Sequence, residues 1–484
     1  MRMKRLKQIC TKVILPGLVA LGLSMWMAAP VWCQTDNTPS QQPVAAQVGL
    51  DNGPTPDNSE NNDASNSGDR MLTPPPVSGQ TYPTVPTSQE RSNYLRAGLT
   101  FASAYSDNVL GSVEGHPVSD VSYSVAPTVA LDATTTRERL LLTYAPGFTF
   151  YQRTSARNEA DQNAAITFQY RLSPHVTFSA RDSFQKSSTV FNQPDLESAG
   201  AVYGGAQSPN FSVIAPIADR LANSGNAGLG YQFSLNSMIG ASGTFSNLHY
   251  PNPAQVPGLY DSSSQGGAAF YALRISKVHY FGATYQYQRL VAYPTAGLSE
   301  TQTHEVFLFY TVYPTSRFSI SFFGGPQYSD TIQPALPPLQ PQLLPARAWS
   351  PAGGASLSWQ GRLNSFAMSY LHIISGGGGL IGAVHMDSAT GSVRKQITRT
   401  FSASVAGGYV QNDLLASLLP GTANGHSVSG TASLQQQFGQ HLSVQLGYMR
   451  LRQDYSNVSV LALTPDTNRE FVSLSYQFAR PMGR

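Results

Sequence analysis

Eight side chains fall on the polar face of stretches that are otherwise apolar at every second position: Arg96, Asp132, Arg171, Arg181, Arg274, Gln286, Gln288 and Glu305. Alternation with period two sends successive side chains to opposite faces of a strand, so these groups lie opposite the apolar stripes. Guanidinium, carboxylate and amide groups brought from several strands onto one wet surface bias which ions and polar solutes pass. Four arginines against Asp132 and Glu305 leave that surface net positive, which predicts a mild preference for anions. The rival role is that these groups only solvate an inert interior or pair with one another. Nothing in the chain arranges bond-breaking chemistry. Serines and histidines occur, but no spacing singles out a triad. His249, His279, His304 and His372 lack the paired spacing of metal ligands. Gly376-Gly-Gly-Gly379 is followed by neither Gly-Lys-Ser/Thr nor a helix, so it reads as a flexible turn rather than a phosphate loop. No enzyme activity, metal or cofactor is expected.

Positioning such groups takes strands. From Leu95 to Phe478 one theme repeats: two alternating runs joined by a tight turn, then a longer polar loop. Ala164–Leu172 turns at Ser173-Pro174 and returns as Val176–Arg181; Val306–Tyr313 returns as Phe318–Tyr328; Val428–Phe438 returns as Leu442–Leu451. This predicts about 18 strands, in a range of about 16–20, each long enough to cross a bilayer at the usual tilt. The short turns all fall on one side of the count. The long loops, such as Ser187–Asn223 and Thr331–Ala348, fall on the other, the asymmetry expected of a closed antiparallel transmembrane β-barrel. Closure is required because an open sheet edge has no partner in lipid. Tyr144, Tyr151, Tyr170, Tyr250, Tyr280, Tyr313, Trp349 and Tyr455 lie near strand ends, where aromatic girdles are expected. Pro127 and Pro146 interrupt strand patterns and predict local bulges.

Composition agrees. Charged residues are 12% of the 484, aromatics 10%, and the net charge is +3. Soluble domains carry roughly twice that charged fraction, and so small a net charge gives no reason to expect nucleic acid. Residues 1–33 read as a secretory signal peptide, with Arg2, Lys4, Arg5, Lys7 and Lys12 ahead of an apolar core. Both cysteines, Cys10 and Cys33, lie within it. Residues 34–92 are rich in Pro, Asn, Ser and Asp with almost no apolar periodicity, so a disordered periplasmic linker is expected. The barrel is assigned to 93–478 and a short tail to 479–484.

The last strand, Arg469–Phe478, carries Val472, Leu474, Tyr476 and Phe478 on its apolar face. It resembles the terminal strand by which bacterial outer-membrane barrels are recognised for assembly, although six residues follow the aromatic here. The opening strand, Leu95–Leu110, with Asp107-Asn108 at its end, is similar to the first strand of the putative β-barrel porin type 2 group. The resemblance implies an outer-membrane porin-like conduit for hydrophilic solute or exported polysaccharide. The partners it implies are outer-membrane lipid, the barrel assembly machinery and an exopolysaccharide-export apparatus. The alternative from a different class is a non-conducting surface protein whose long loops bind partners. An inward-folded, packed interior favours that alternative; a continuous wet lumen favours the pore.

Overall fold

The computed structural model describes residues 92–110, 117–189, 217–255, 259–294, 297–315, 317–333, 344–376, 380, 382–415, 425–455 and 466–481. The expected signal peptide, the linker up to residue 91, Gly377–Gly379 and the last three residues lie outside them. Among the described residues there are eighteen strands. These are β1 Ser92–Ser106, β2 Asp120–Thr134, β3 Glu138–Tyr151, β4 Glu159–Arg171, β5 Val176–Thr189 and β6 Ile217–Ser234. Next come β7 Ser237–His249, β8 Ser262–Arg274, β9 His279–Ala292, β10 Ser299–Thr315, β11 Phe318–Gln333 and β12 Leu344–Gln360. The set ends with β13 Asn364–Gly376, β14 Ala383–Gln396, β15 Phe401–Leu414, β16 Gly425–Phe438, β17 Leu442–Tyr455 and β18 Asp466–Pro481.

Each strand pairs antiparallel with its sequence neighbours, and β1 pairs with β18 from Tyr94↔Pro481 to Ser106↔Arg469, so the sheet closes on itself. Connections of two to four residues alternate strictly with longer ones of six to 27, giving a short-turn rim and a long-loop rim as the sequence predicts. The strands outrun expectation at the long-loop rim. Residues 217–223 and 344–348, read as loop, are strand. There the chain projects past the apolar band, so its hydropathy is polar while its ladder continues. At the other rim β18 runs on to Pro481, beyond the predicted stop at Phe478.

Alternation sorts the faces. On β10 the outward stripe reads Glu300, Gln302, His304, Val306, Leu308, Tyr310, while Thr301, Thr303, Glu305, Phe307, Phe309 and Thr311 point inward and are buried. On β12, Trp349 and Trp359 occupy one outward face ten residues apart and are 72% and 39% exposed. Ten residues span about 33 Å along a strand and about 25 Å across a membrane at the usual 35–45° tilt, the height of a lipid-facing band. Tyr285, Tyr287, His304, Tyr328 and Trp349 form one continuous ring-to-ring girdle at the upper edge of that band. Outward ion pairs Arg289–Glu300, Arg347–Asp330 and Arg450–Asp466, at 2.7–3.0 Å, stand beyond it.

Several expectations need correction. Tyr170 and Trp349 are outward and near strand ends, and Tyr144 is outward but stands in the middle of β3 between Leu142 and Phe148, whereas Tyr151, Tyr280, Tyr313 and Tyr455 follow the inward parity of their strands and Tyr250 is buried in a connection. Period two fixes alternation but not which face meets lipid when both carry aromatics. Pro127 and Pro146 do not produce bulges. The β2–β3 ladder skips from Val125↔Phe148 to Val129↔Tyr144 and resumes in the same register. The two prolines share one unpaired patch, so neither donor lost forces a slip.

Five inward aromatic rings sit against a glycine on the adjacent strand: Phe270 against Gly240, Phe309 against Gly282, Phe323 against Gly354, Tyr455 against Gly425 and Phe471 against Gly447. Each pair is directly opposite in register. A Cβ at any of these glycines would enter the ring. This explains how large apolar groups are buried on the inside of a hollow wall.

Candidate functional site

The first strand ends in a clamp. Asp107 accepts from the Asn468 backbone N–H at 2.8 Å and from Asn468 Nδ2 at 2.6 Å, and its own N–H donates to the Asn468 carbonyl at 3.1 Å. Asp107 of the Asp-Asn pair read from the sequence thus fastens β1 to β18 at the long-loop rim.

The inner wall holds a cavity of about 370 Å³ between β5–β9 and the tip of β13. Arg181, Asn226, Gln286 and Gln288 line it with several serines, and Ile373, Ile374 and Ser375 close the far side. Gln288 Nε2 donates to Ser264 Oγ at 2.9 Å. Three of the predicted lumen residues, Arg181, Gln286 and Gln288, therefore meet in one place. Glu305 is directly opposite Gln286 and accepts from Gln327, its opposite on β11. All three are inward, and Glu305 and Gln327 are buried.

The other predicted residues are placed apart. Arg96 and Asp132 form an inward ion pair at 3.6 Å on β1 and β2. Arg171 is the last residue of β4, inward at the short-turn rim. Arg274 is the last of β8, where its Nε donates to Asn236 Oδ1 in the neighbouring turn at 3.0 Å. The four arginines are thus not one ring. Three stand near the short-turn mouth, one of them paired with a carboxylate, and Arg181 is deeper. Val472, Leu474, Tyr476 and Phe478 all face outward and are 41–50% exposed, the parity expected of them. The four histidines find aromatic or carboxylate partners instead of one another: His249 with Asp261 at 2.6 Å, His279 with Tyr310 at 2.6 Å, His304 with Tyr285 at 2.9 Å and His372 with Asp387 at 2.9 Å.

One site has no signal in the alternation. Tyr250 and Leu259 of the β7–β8 connection, Leu380 of the β13–β14 connection, Val384 of β14 and Tyr455 of β17 form a buried apolar cluster. Leu248, Met386 and Leu414, all on inward faces, pack against it. β7 and β17 stand eight strands apart around the ring by the shorter way, through β18 and β1, so the cluster crosses the long-loop mouth. Asp261 fixes this arrangement by accepting from the Tyr250 N–H at 2.8 Å. Burial pushes the Tyr250 phenol up to about 12 and keeps it neutral. Loops lack periodicity, so only the isolated leucines in polar segments could have marked it.

No protein-family model and no curated protein matches the sequence. Among solved structures, the chain is similar to OccAB4 of Acinetobacter baumannii at 10% identity and a TM-score of 0.40, over 81% of this chain and 100% of that one. OccK2 (OpdF) of Pseudomonas aeruginosa is similar at 10% identity and 0.39, over 80% and 98%. The ferric citrate transporter FecA in its unliganded form is similar at 9% and 0.40, over 75% and 60%. The assignment of the fold rests on the closed eighteen-strand wall and its lipid-facing band, which make this an outer-membrane-type β-barrel.

Proposed function

We propose that the chain is a narrow outer-membrane pore for small hydrophilic solutes. The observation that carries this is the cavity lined by Arg181, Gln286 and Gln288 inside an eighteen-strand sheet that closes on itself, a size that encloses an aqueous channel in other barrels. The apolar cluster from Tyr250 to Tyr455 narrows the route at the long-loop mouth, which favours small solutes over a polymer. Export of polysaccharide is the finer reading. Its support is the first-strand resemblance alone, and Asp107 there already has a structural task at the β1–β18 seam. The outward stripe of Val472, Leu474, Tyr476 and Phe478 supports recognition by the barrel assembly machinery.

The same cluster favours a second reading, a non-conducting surface protein with the barrel as anchor. Single-channel recording in planar bilayers separates the two. The pore reading expects discrete conductance steps that grow when Tyr250→Ala and Leu380→Gly are combined. A folded, inserted barrel that passes no current, before or after that substitution, selects the anchor.

A further inference from the structure

The two rims carry opposite charge. The short connections between strands contain no Asp or Glu. Five of them carry a cation: Arg137, Lys277, Arg317, Arg362 and Arg399. All five are exposed, and none has a side-chain hydrogen bond or ion pair among the described residues. The carboxylates nearest this rim are Glu138, the first residue of β3, and Asp132, which Arg96 already pairs. The long connections have the reverse balance, with Asp107, Glu114, Asp195, Glu197 and Asp261 against Arg153 and Arg157.

Four of the five cations form an arc. Lys277, Arg317, Arg362 and Arg399 stand on the successive hairpins β8–β9, β10–β11, β12–β13 and β14–β15. Strands about 4.8 Å apart and tilted about 40° put consecutive members of the arc about 12 Å apart along the rim. Eighteen such strands make a mouth about 36 Å across.

The chain ahead of β1 supplies the opposite charge. From residue 46 to residue 69 it carries Asp51, Asp57, Glu60, Asp63 and Asp69 and no Lys, Arg or His. It enters the barrel at this same rim, because Ser92 is paired with Thr134 at the short-turn end of β2. Residues 70–91 join the acidic stretch to Ser92, and that length reaches at most about 75 Å, so every point of the arc is within range. Asp57, Glu60 and Asp63 recur at every third residue, a step of at most about 10 Å, close to the spacing of the cations. A single exposed ion pair holds little. A tethered segment, however, meets the rim at an effective concentration on the order of millimolar, and several weak pairs made together hold where one does not.

We propose that the short-turn rim is the docking surface of this acidic segment: residues 51–69 lie along the arc from Lys277 to Arg399 and are held there by ion pairs on the periplasmic face. The docking needs no passage through the barrel, so it stands apart from the pore reading.

The test uses the full-length chain in nanodiscs of zwitterionic lipid, one barrel to a disc. Both native cysteines lie in the expected signal peptide, so Asn62→Cys gives the exported chain a single site for a nitroxide label. At low salt its spin-resonance spectrum should contain a slow component. That component should be lost in 1 M salt, where the screening length is about 3 Å. It should also be lost when Lys277, Arg317, Arg362 and Arg399 are all changed to Gln, in barrels that keep their heat-dependent gel mobility. A label equally mobile with and without the four cations would overturn the docking. A second arm keeps every charge. With Arg317, Arg362 and Arg399 changed to Lys, a zero-length carbodiimide should join carboxylates of residues 51–69 to these lysines and to Lys277, and not to Lys186 towards the long-loop end of β5. No links at low salt, or links equally frequent on Lys186, would refute it. Anionic head groups of the inner leaflet are the rival occupant. If they hold the rim instead, the label stays mobile in every disc while the four Gln substitutions weaken retention of phosphatidylglycerol, and that result rejects the segment. Conductance is not a readout in either arm, so failure here leaves the pore reading to its own experiment.

Discussion

Gly447→Ala puts one methyl group where a ring already lies. The atoms nearest a Cβ at Gly447 all belong to the Phe471 ring, and no backbone atom is among them. Phe471 is 2% exposed and faces Gly447 directly across β17 and β18. Either the ring leaves its rotamer or the strands part, and overpacking of this kind costs about 1–3 kcal/mol. Phe471→Ala alone removes a buried ring and costs about 3–5 kcal/mol. With the ring gone the new methyl is unopposed, and replacing glycine in an extended segment lowers the entropy of the unfolded chain. Adding Gly447→Ala to Phe471→Ala should then be neutral or stabilising by up to about 1 kcal/mol. The coupling between the two sites is therefore about 1–4 kcal/mol, well outside additivity error. Gly430→Ala is the internal control, because nothing lies within 4 Å of a Cβ there. The assay is reversible urea folding of the barrel into lipid vesicles, followed by heat-dependent gel mobility. Additive losses in the double mutant, or an equal loss at Gly430, would refute the view that rings seated on glycines close the inner wall.

Changing Arg171 and Arg181 together to Glu should move the reversal potential of the open channel towards cations. The shift should fade between 0.1 M and 1 M salt as the screening length falls from about 10 to 3 Å. Phe478→Ser removes an outward apolar contact from the last strand, and less assembled, heat-modifiable barrel should be recovered from outer membranes; an unchanged yield would show that the strand is recognised by other means. Asp107→Ala strands two donors of Asn468 at the closing seam. A loss of about 1–3 kcal/mol is expected, read as a lower melting temperature of the folded band.

Much of the architecture is legible in the sequence because the decisive pattern is local. Period two in runs such as Ala164–Leu172 gives strand, face and, with turn length, the side of each rim. The inward parity of Arg181, Gln286 and Glu305 follows from it directly. What escapes is long-range. That Phe471 rests on Gly447 depends on register between strands, which alternation within either one does not contain. The meeting of Leu259 with Leu380 joins two aperiodic connections more than a hundred residues apart.

A closed sheet is mechanically a hoop, and hoops yield where they are thinnest. In a barrel made from one chain that place is ordinarily the joint between first and last strands. Here that joint has thirteen register pairs and the Asp107 clamp, whereas β12–β13 has eight among the described residues. The cluster from Tyr250 to Tyr455 acts as a tie rod across the opposite diameter and resists flattening along it. Lateral tension in the bilayer would then not open the ring uniformly. It would ovalise the ring and concentrate the strain at one internal joint, away from the seam that assembly must close last.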